Sequence, residues 1–438
     1  MNKKYDAPAC YSLFFLISAF FALIILRYPV AYVWATYEDL LGEWTQFSFF
    51  AIAFFFSARL ALSGSRFRIF FTALALACLY VCGEEISWGQ RLFDVATPDF
   101  FSRHNLQQET NLHNFFTGPY STTLKRLIEL LLAGGFILYG ILYPLQLRKG
   151  RKPALLLTRL GVPAPPLSLW PFFAAAALFE LRIFSFNEAE VAEILLSLTL
   201  AIISLSYWQN HGSARQTLSS GPAPQAMAII LLFVLGTGLG ATATAVCYQV
   251  PRLRADMEQR LEGGIRKFGE RYGRYGSWQN AAGLYQRLHD KKPQNIEILR
   301  SLAACYKQMG RDDKFTELTT KAIRLDMTRY GRNPEDVQIN LSLRATFQQA
   351  GYRDKADFHL QKALTAGKNQ VRLEPYNAGA AYWLARSYLA AGDMDSALRE
   401  MEKAVYLKPE STLYQKTLAR LTLRQKYGPD EEETGIEG

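Results

Sequence analysis

LAACYKQMGRDDKFTELTTKA at 302–322, LRATFQQAGYRDKADFHLQKA at 343–363 and LARSYLAAGDMDSALREMEKA at 384–404 follow one another at a spacing of 41 residues. Four columns coincide: Leu302, Leu343 and Leu384; Tyr306, Phe347 and Tyr388; Gly310, Gly351 and Gly392; Ala322, Ala363 and Ala404. One step earlier, at a spacing of 34, Phe268, Tyr272 and Gly276 fall into the same columns. A helix, a glycine-bearing turn and a second helix, with small residues where the helices cross, bury their apolar face only by stacking on a neighbour. The period predicts an α-solenoid of about four units.

The pattern resembles the tetratricopeptide repeat over about 262–411. Its marks are Leu302, Ala303, Tyr306, Gly310 and Ala322 in one repeat, and Leu384, Ala385, Tyr388, Gly392, Ala397, Ala404 and Pro409 in another. Arg344 stands where that family prefers a small residue, and two joints carry about seven extra residues each. The resemblance implies a concave surface that holds a peptide or partner protein, not a catalyst. The family's inward-facing first-helix positions fall here on Arg266, Arg300, Lys307, Gln338, Tyr382 and Arg386. That set is basic with one aromatic, which suits an acidic or extended peptide; the competing reading is a merely solvated face. The two-residue carboxylate clamp of some members is not recognisable, because Ala304 occupies the place of its Asn. Residues 412–426 read as a capping helix and 427–438 as an acidic tail.

Upstream, the composition changes. The chain has 438 residues, 49 Lys+Arg, 39 Asp+Glu and a formal net charge of +10, but residues 1–250 hold only 17 of those cations and 14 of the acids. A spanning helix needs about 20 apolar residues, because each advances about 1.5 Å through a layer of about 30 Å. Seven runs qualify as candidates: 11–34, 46–62, 67–83, 124–145, 169–186, 189–208 and 226–250. The expected fold is all-α: a polytopic bundle of about seven transmembrane helices at 1–250, a helical linker at 251–261, and the solenoid at 262–426. With the N-terminus inside, short inner segments carry eleven Lys and Arg and outer segments five. An odd number of spans then puts the solenoid outside, which in a bacterial inner membrane is the periplasm. The composition excludes a purely soluble enzyme, and the five cysteines form neither a disulfide framework nor a zinc-type cluster.

Polar residues gather toward the expected outer face. GEEISWGQR at 83–91 continues the third run; read as a helix, it puts Glu84, Ser87 and Arg91 on one side and Glu85 elsewhere. Farther on, Glu109 and His113 are one helical turn apart, a workable pair of metal ligands. Glu180 and Arg182 lie in the fifth run and Glu190 and Glu193 in the sixth, across a turn that sets Glu180 and Glu193 at similar depth. Glu84, Glu85, Glu109, His113, Glu180 and Glu193 are therefore expected to converge on one pocket. Charged residues at such depth are costly and call for partners.

Three readings of that pocket stay open. It is a buried network in which Arg91 and Arg182 neutralise Glu84, Glu180 or Glu193. Alternatively, a divalent metal such as zinc on His113, Glu109 and Glu85 activates water, with Glu84, Ser87, Arg91, Glu180 and Glu193 in supporting catalytic roles, against a lipid or lipid-linked substrate. The third is passage of an ion or solute, or binding of a lipid headgroup. The wording at 83–93 with 111–114 resembles a phrase of uncharacterised bacterial multi-pass membrane proteins, which implies no activity. Ceramidase-like membrane hydrolases share only the architecture, since their histidine pattern is absent. Glycosyltransferases that use lipid-linked sugars share acidic pairs such as Glu38-Asp39 and Glu84-Glu85 but have longer outer loops. The sequence-level expectation is an envelope scaffold that binds a protein or peptide and contacts membrane lipid, with no nucleic-acid partner; a metal-dependent membrane hydrolase or transferase is the alternative.

Overall fold

The computed structural model describes residues 6–93, 95–98, 100–101, 110, 121–210 and 225–427. Among them every regular element is helical. The chain divides into two compact units, with the later boundary between Gly264 and Ile265, inside the continuous helix Pro251–Arg274. The expected linker at 251–261 is thus the first half of that helix.

In the first unit each of the seven apolar runs forms helix, with three corrections. Five helices, Ala7–Arg27, Leu41–Leu62, Arg126–Arg148, Glu188–Gln209 and Ala226–Gln249, are long and apolar enough to cross a membrane. Arg68–Glu85 carries Arg68, Glu84 and Glu85, and the apolar helix ending at Glu180 is shorter. The first run breaks at Tyr28, because Pro29 disfavours helical geometry in the residue before it; a separate helix Pro29–Thr36 follows. The fifth run ends at Glu180, and the chain turns through Arg182, Ser185 and Asn187, all with positive φ. The carboxylate of Glu188 accepts the amides of Phe184, Ser185 and Phe186 at 2.5, 3.0 and 2.7 Å, fixing that turn.

The core of this unit forms around Glu188–Gln209, whose Leu198, Ala201, Ile202 and Ile203 are fully buried among Phe49, Phe71, Leu169 and Phe172. Ala226–Gln249 approaches closely at Gly240, where an added Cβ would lie 2.7 Å from the Thr45 Cα. Gly236 makes a like close approach to the Phe49 ring, whereas Gly238 faces open space.

The second unit is a stack of helix pairs: Pro251–Arg274 leads into Trp278–Lys291, then come Ile296–Gln308 with Asp312–Arg332, Val337–Gln349 with Arg353–Leu373, and Ala378–Ala391 with Met394–Leu407. Thr412–Tyr427 closes the stack. Gly276, Gly310, Gly351 and Gly392 all take positive φ between the paired helices, which is why glycine recurs there. Ala322, Ala363 and Ala404 are completely buried at the crossings.

The structure exposes a further column. Asn295, Asp336 and Asn377 are each an N-cap, accepting the amide three residues on at 3.1, 2.9 and 3.1 Å, and each stands two residues after Pro293, Pro334 or Pro375. Proline stops the preceding helix and the cap starts the next. The seven extra residues lie in neither joint: Asp312–Arg332 and Arg353–Leu373 have 21 residues, Trp278–Lys291 and Met394–Leu407 have 14. The insertion is two additional helical turns, about 10 Å of length.

Candidate functional site

Two constellations were expected, and the structure treats them differently. In the second unit, a cleft of about 810 Å³ opens along the first helices of successive repeats. Arg300, Arg329, Arg332, Arg344 and Arg386 line it, against a single acid, Glu297. Glu297 is itself 3.2 Å from the Arg266 guanidinium. Trp383 supplies the aromatic surface.

Three side-chain rungs hold this wall. Arg300 donates through Nη1 to the Ser342 carbonyl at 3.1 Å, Gln349 through Nε2 to the Arg300 carbonyl at 2.8 Å, and Arg344 through Nη2 to the Ala390 carbonyl at 2.8 Å. Each joins one repeat to the next. Carbonyl acceptors hold a guanidinium in place without cancelling its charge, so the wall stays positive. Beneath it Asp326, fully buried, accepts Ser342 Oγ at 2.6 Å. Burial raises the Asp326 carboxyl above its ordinary value, while the Ser342 hydrogen bond and Arg329 oppose the shift. Burial also lowers the Arg300 guanidinium, against the pull of Asp326 and Glu297.

Of the residues expected to bind a partner, Arg300, Gln338 and Arg386 line the cleft. Arg266 is engaged with Glu297, and Lys307 places its Nζ over the Phe315 ring, 5.0 Å from the centroid. Tyr382 is a correction: it is buried at 5% exposure, stacked on Tyr414 at 4.9 Å, and accepts a hydrogen bond from Arg386. The next residue, Trp383, takes the surface position, since one step around a helix turns a side chain by about 100°. Arg329 and Arg332 were missed because they belong to the inserted turns of a second helix, outside the first-helix positions that the resemblance carried over.

In the first unit the expected helix through 83–91 does not form. The helix ends at Glu85, and Ser87, Trp88 and Gly89 follow with φ of 47°, 52° and 81°. Two consecutive non-glycine residues in left-handed geometry are costly. The turn is held by Trp88, whose ring lies over Gly83 and whose Nε1 donates to Glu84 Oε1 at 2.8 Å. Glu84, Ser87 and Arg91 therefore do not share one helix face. Glu84 and Ser87 are buried. Thr110 closes onto this turn, donating through Oγ1 to the Ser87 carbonyl at 3.0 Å, with its amide on Gln90 Oε1 at 2.8 Å.

Glu85 and Glu193 do meet, through a residue the sequence reading had placed at the edge of a span. Gln46, 2% exposed, donates through Nε2 to Glu85 Oε1 at 3.0 Å and to Glu193 Oε2 at 2.7 Å. Glu43 and Glu190 are within electrostatic reach of the same group. Beside it a cleft of about 290 Å³ is lined by Glu43, Glu85, Trp44 and Phe47, with Asp39 and Arg260 at 3.0 Å from each other. Glu180 is buried at the end of its helix. Arg182 lies 3.1 Å from Glu129, an acid that sequence reading passed over.

Glu109 and His113 lie outside the described residues, as does the Arg91 side chain. Among the described residues no three His, Cys, Asp or Glu are grouped to hold a metal ion, so the proposed set of His113, Glu109 and Glu85 has one described member. The expected acidic tail lies outside the described residues from 428 onward.

Comparison with known proteins bears on the second unit. Residues 349–421 match the family model described as Tetratricopeptide repeat. Among solved structures, a thermophilic TPR protein of Thermus thermophilus is 23% identical over 39% of this chain and 86% of its own, with a TM-score of 0.22. MamA is 21% identical over 38% of this chain and 90% of its own, TM-score 0.17, and yeast Tom70 is 15% identical over 98% and 91%, TM-score 0.21. No curated protein matches the chain. The C-terminal unit is a stack of helix pairs, of which residues 349–421 carry tetratricopeptide repeat sequence.

Proposed function

We propose that this chain is a multi-pass protein of a bacterial inner membrane, and that its solenoid is an envelope scaffold that captures an acidic, extended segment of a partner protein. The observation that carries the reading is the charge of the cleft: five arginines line it against one glutamate, itself paired to Arg266, and the buried Asp326 beneath pairs with Arg329. Trp383 adds an apolar stop for a side chain of the bound segment. Anchorage in the membrane is supported by the five long apolar helices and by apolar side chains they leave uncovered, among them Phe15, Leu16 and Leu231. In this reading an odd number of helices cross, the N-terminus is cytoplasmic, the solenoid is periplasmic, and lipid surrounds the bundle.

Peptides of equal length rich in Glu, in Lys or in Ser, titrated onto the full-length protein in neutral detergent, test the binding. The Glu-rich series should bind tightest and weaken with salt; equal affinity for all three would refute the groove assignment. For topology, Asp313→Cys supplies an exposed thiol in a chain whose five native cysteines are buried. It should react with an impermeant maleimide added to spheroplasts, and protection there would put the solenoid in the cytosol.

A further inference from the structure

Between Glu129 and Glu180 the sequence contains no acidic residue, and its cations are concentrated at 148–159. The helix Arg126–Arg148 ends there, the chain turns at Gly150 with φ 65°, and the short helix Lys152–Arg159 folds back. Its inner face is fixed. Ala154 and Thr158 are buried, Ala154 against Tyr143 and Leu147; a hydrogen bond of 2.9 Å joins the Thr158 hydroxyl to Tyr143, and Arg66 donates to the Thr158 carbonyl at 2.7 Å.

The outer face is unpartnered. Leu156 and Leu160 are 56% and 70% exposed, and Leu157 is 40% exposed. Arg148, Lys149, Arg151, Lys152 and Arg159 are all exposed, and none has an ion pair among the described residues. The helix leading into this cap also leaves Leu131, Leu138 and Leu142 uncovered. Leucines beside unneutralised cations on an anchored helix are the pattern of a segment lying in a membrane interface. A free phosphate ion would leave the leucines in water, and a folded acidic protein would not continue onto the apolar flank of the adjoining helix. Only an anionic lipid offers negative headgroups and hydrocarbon at adjoining depths.

We propose that the basic cap at 148–160 is a docking surface for anionic phospholipid, with the cations on the headgroups and Leu156 and Leu160 at the top of the acyl layer. The inference rests on the reading of this unit as membrane-spanning. Reconstitution of the full-length protein into phosphatidylcholine vesicles containing spin-labelled phosphatidylglycerol or spin-labelled phosphatidylcholine tests it. The wild-type protein should hold the anionic label preferentially. K149Q, R151Q and K152Q combined should lower that preference at least about fivefold with an unchanged melting profile, and L156S with L160S should weaken it too. Equal retention of the two labels by inserted wild-type protein overturns the proposal and leaves the membrane reading standing, whereas protein that carbonate strips from the vesicles overturns both. Undiminished preference in the triple variant, or full displacement of the label by millimolar inorganic phosphate, also overturns it.

Discussion

Arg344 donates through Nη2 to the carbonyl of Ala390 at 2.8 Å, 46 residues along the chain and one repeat away. Ala390 lies in the last turn of Ala378–Ala391, where helix carbonyls lack intrahelical donors and the helix dipole favours a cation. The position at which tetratricopeptide repeats prefer a small residue is here occupied by a side chain that caps the neighbour's helix. The departure from the pattern is therefore a joint between repeats.

Removing that joint should loosen the stack locally. Arg344→Ala is expected to cost about 1 kcal/mol, as for other partly exposed charge-assisted hydrogen bonds. Hydrogen exchange of the amides in Ala378–Ala391 should accelerate about fivefold, with Arg344→Lys between the two. Exchange identical to wild type would show that the contact carries no stability.

Charge reversal in the cleft should act on binding without touching these rungs. Arg329 and Arg332 are exposed and come from the inserted helical turns. Arg329 also pairs with the buried Asp326 at 3.4 Å, so the reversal is made at Arg332 alone: Arg332→Glu should lower affinity for a Glu-rich peptide at least about threefold and flatten its salt dependence. Unchanged affinity by fluorescence anisotropy would move the binding surface elsewhere.

His359 makes the stability of the solenoid pH-dependent. Asn340 spends its Nδ2 on the carbonyls of Pro334 and Asp336, both at 2.8 Å, so its Oδ1 must accept the proton of His359 Nδ1 at 2.9 Å. The neutral ring stacks on Phe347, 5.5 Å away, and meets Tyr330 edge-on at 5.1 Å. Burial first, then Lys362, pushes the imidazole below its ordinary 6.5. The unfolded chain therefore takes up this proton before the folded one, and stability falls as pH drops through about 6.5 and is regained above it. His359→Gln keeps a donor toward Asn340 and should reduce the difference between urea midpoints at pH 5 and pH 7.5; an unaltered difference would remove His359 as its source.

The solenoid was legible because a 41-residue period repeats four physical requirements at once: an apolar anchor, an aromatic, a turn glycine and a small crossing residue. Its groove was only half legible. Positions carried over from the family reached Arg300, Gln338 and Arg386, yet Tyr382 and Trp383 differ by one step around a helix, and both are aromatic. In the first unit the apolar runs were visible but their interruptions were less so. Pro29 breaks the first, and the turn at Ser87 and Trp88 adopts a backbone that neither residue type announces. Gln46 was read as the start of a span because the run becomes apolar there; the helix begins at Leu41, which puts that amide inside.

That buried amide makes the last prediction. Gln46 is the shared donor for Glu85 and Glu193, and those two carboxylates come from the ends of different helices, Arg68–Glu85 and Glu188–Gln209. Gln46→Leu keeps the volume roughly constant but removes both hydrogen bonds, leaving two acids facing an apolar side chain. Partly buried acceptors that lose a donor typically cost about 1–3 kcal/mol, so the variant should lose stability in detergent, read as a lower midpoint for the loss of its monodisperse chromatographic peak. Adding Glu193→Gln to Gln46→Leu returns an amide donor on the side of Glu85 and removes one of the two acids, and should recover most of the loss. A double variant no more stable than Gln46→Leu would mean that Gln46 acts through its packing and not as the bridge between the two acids.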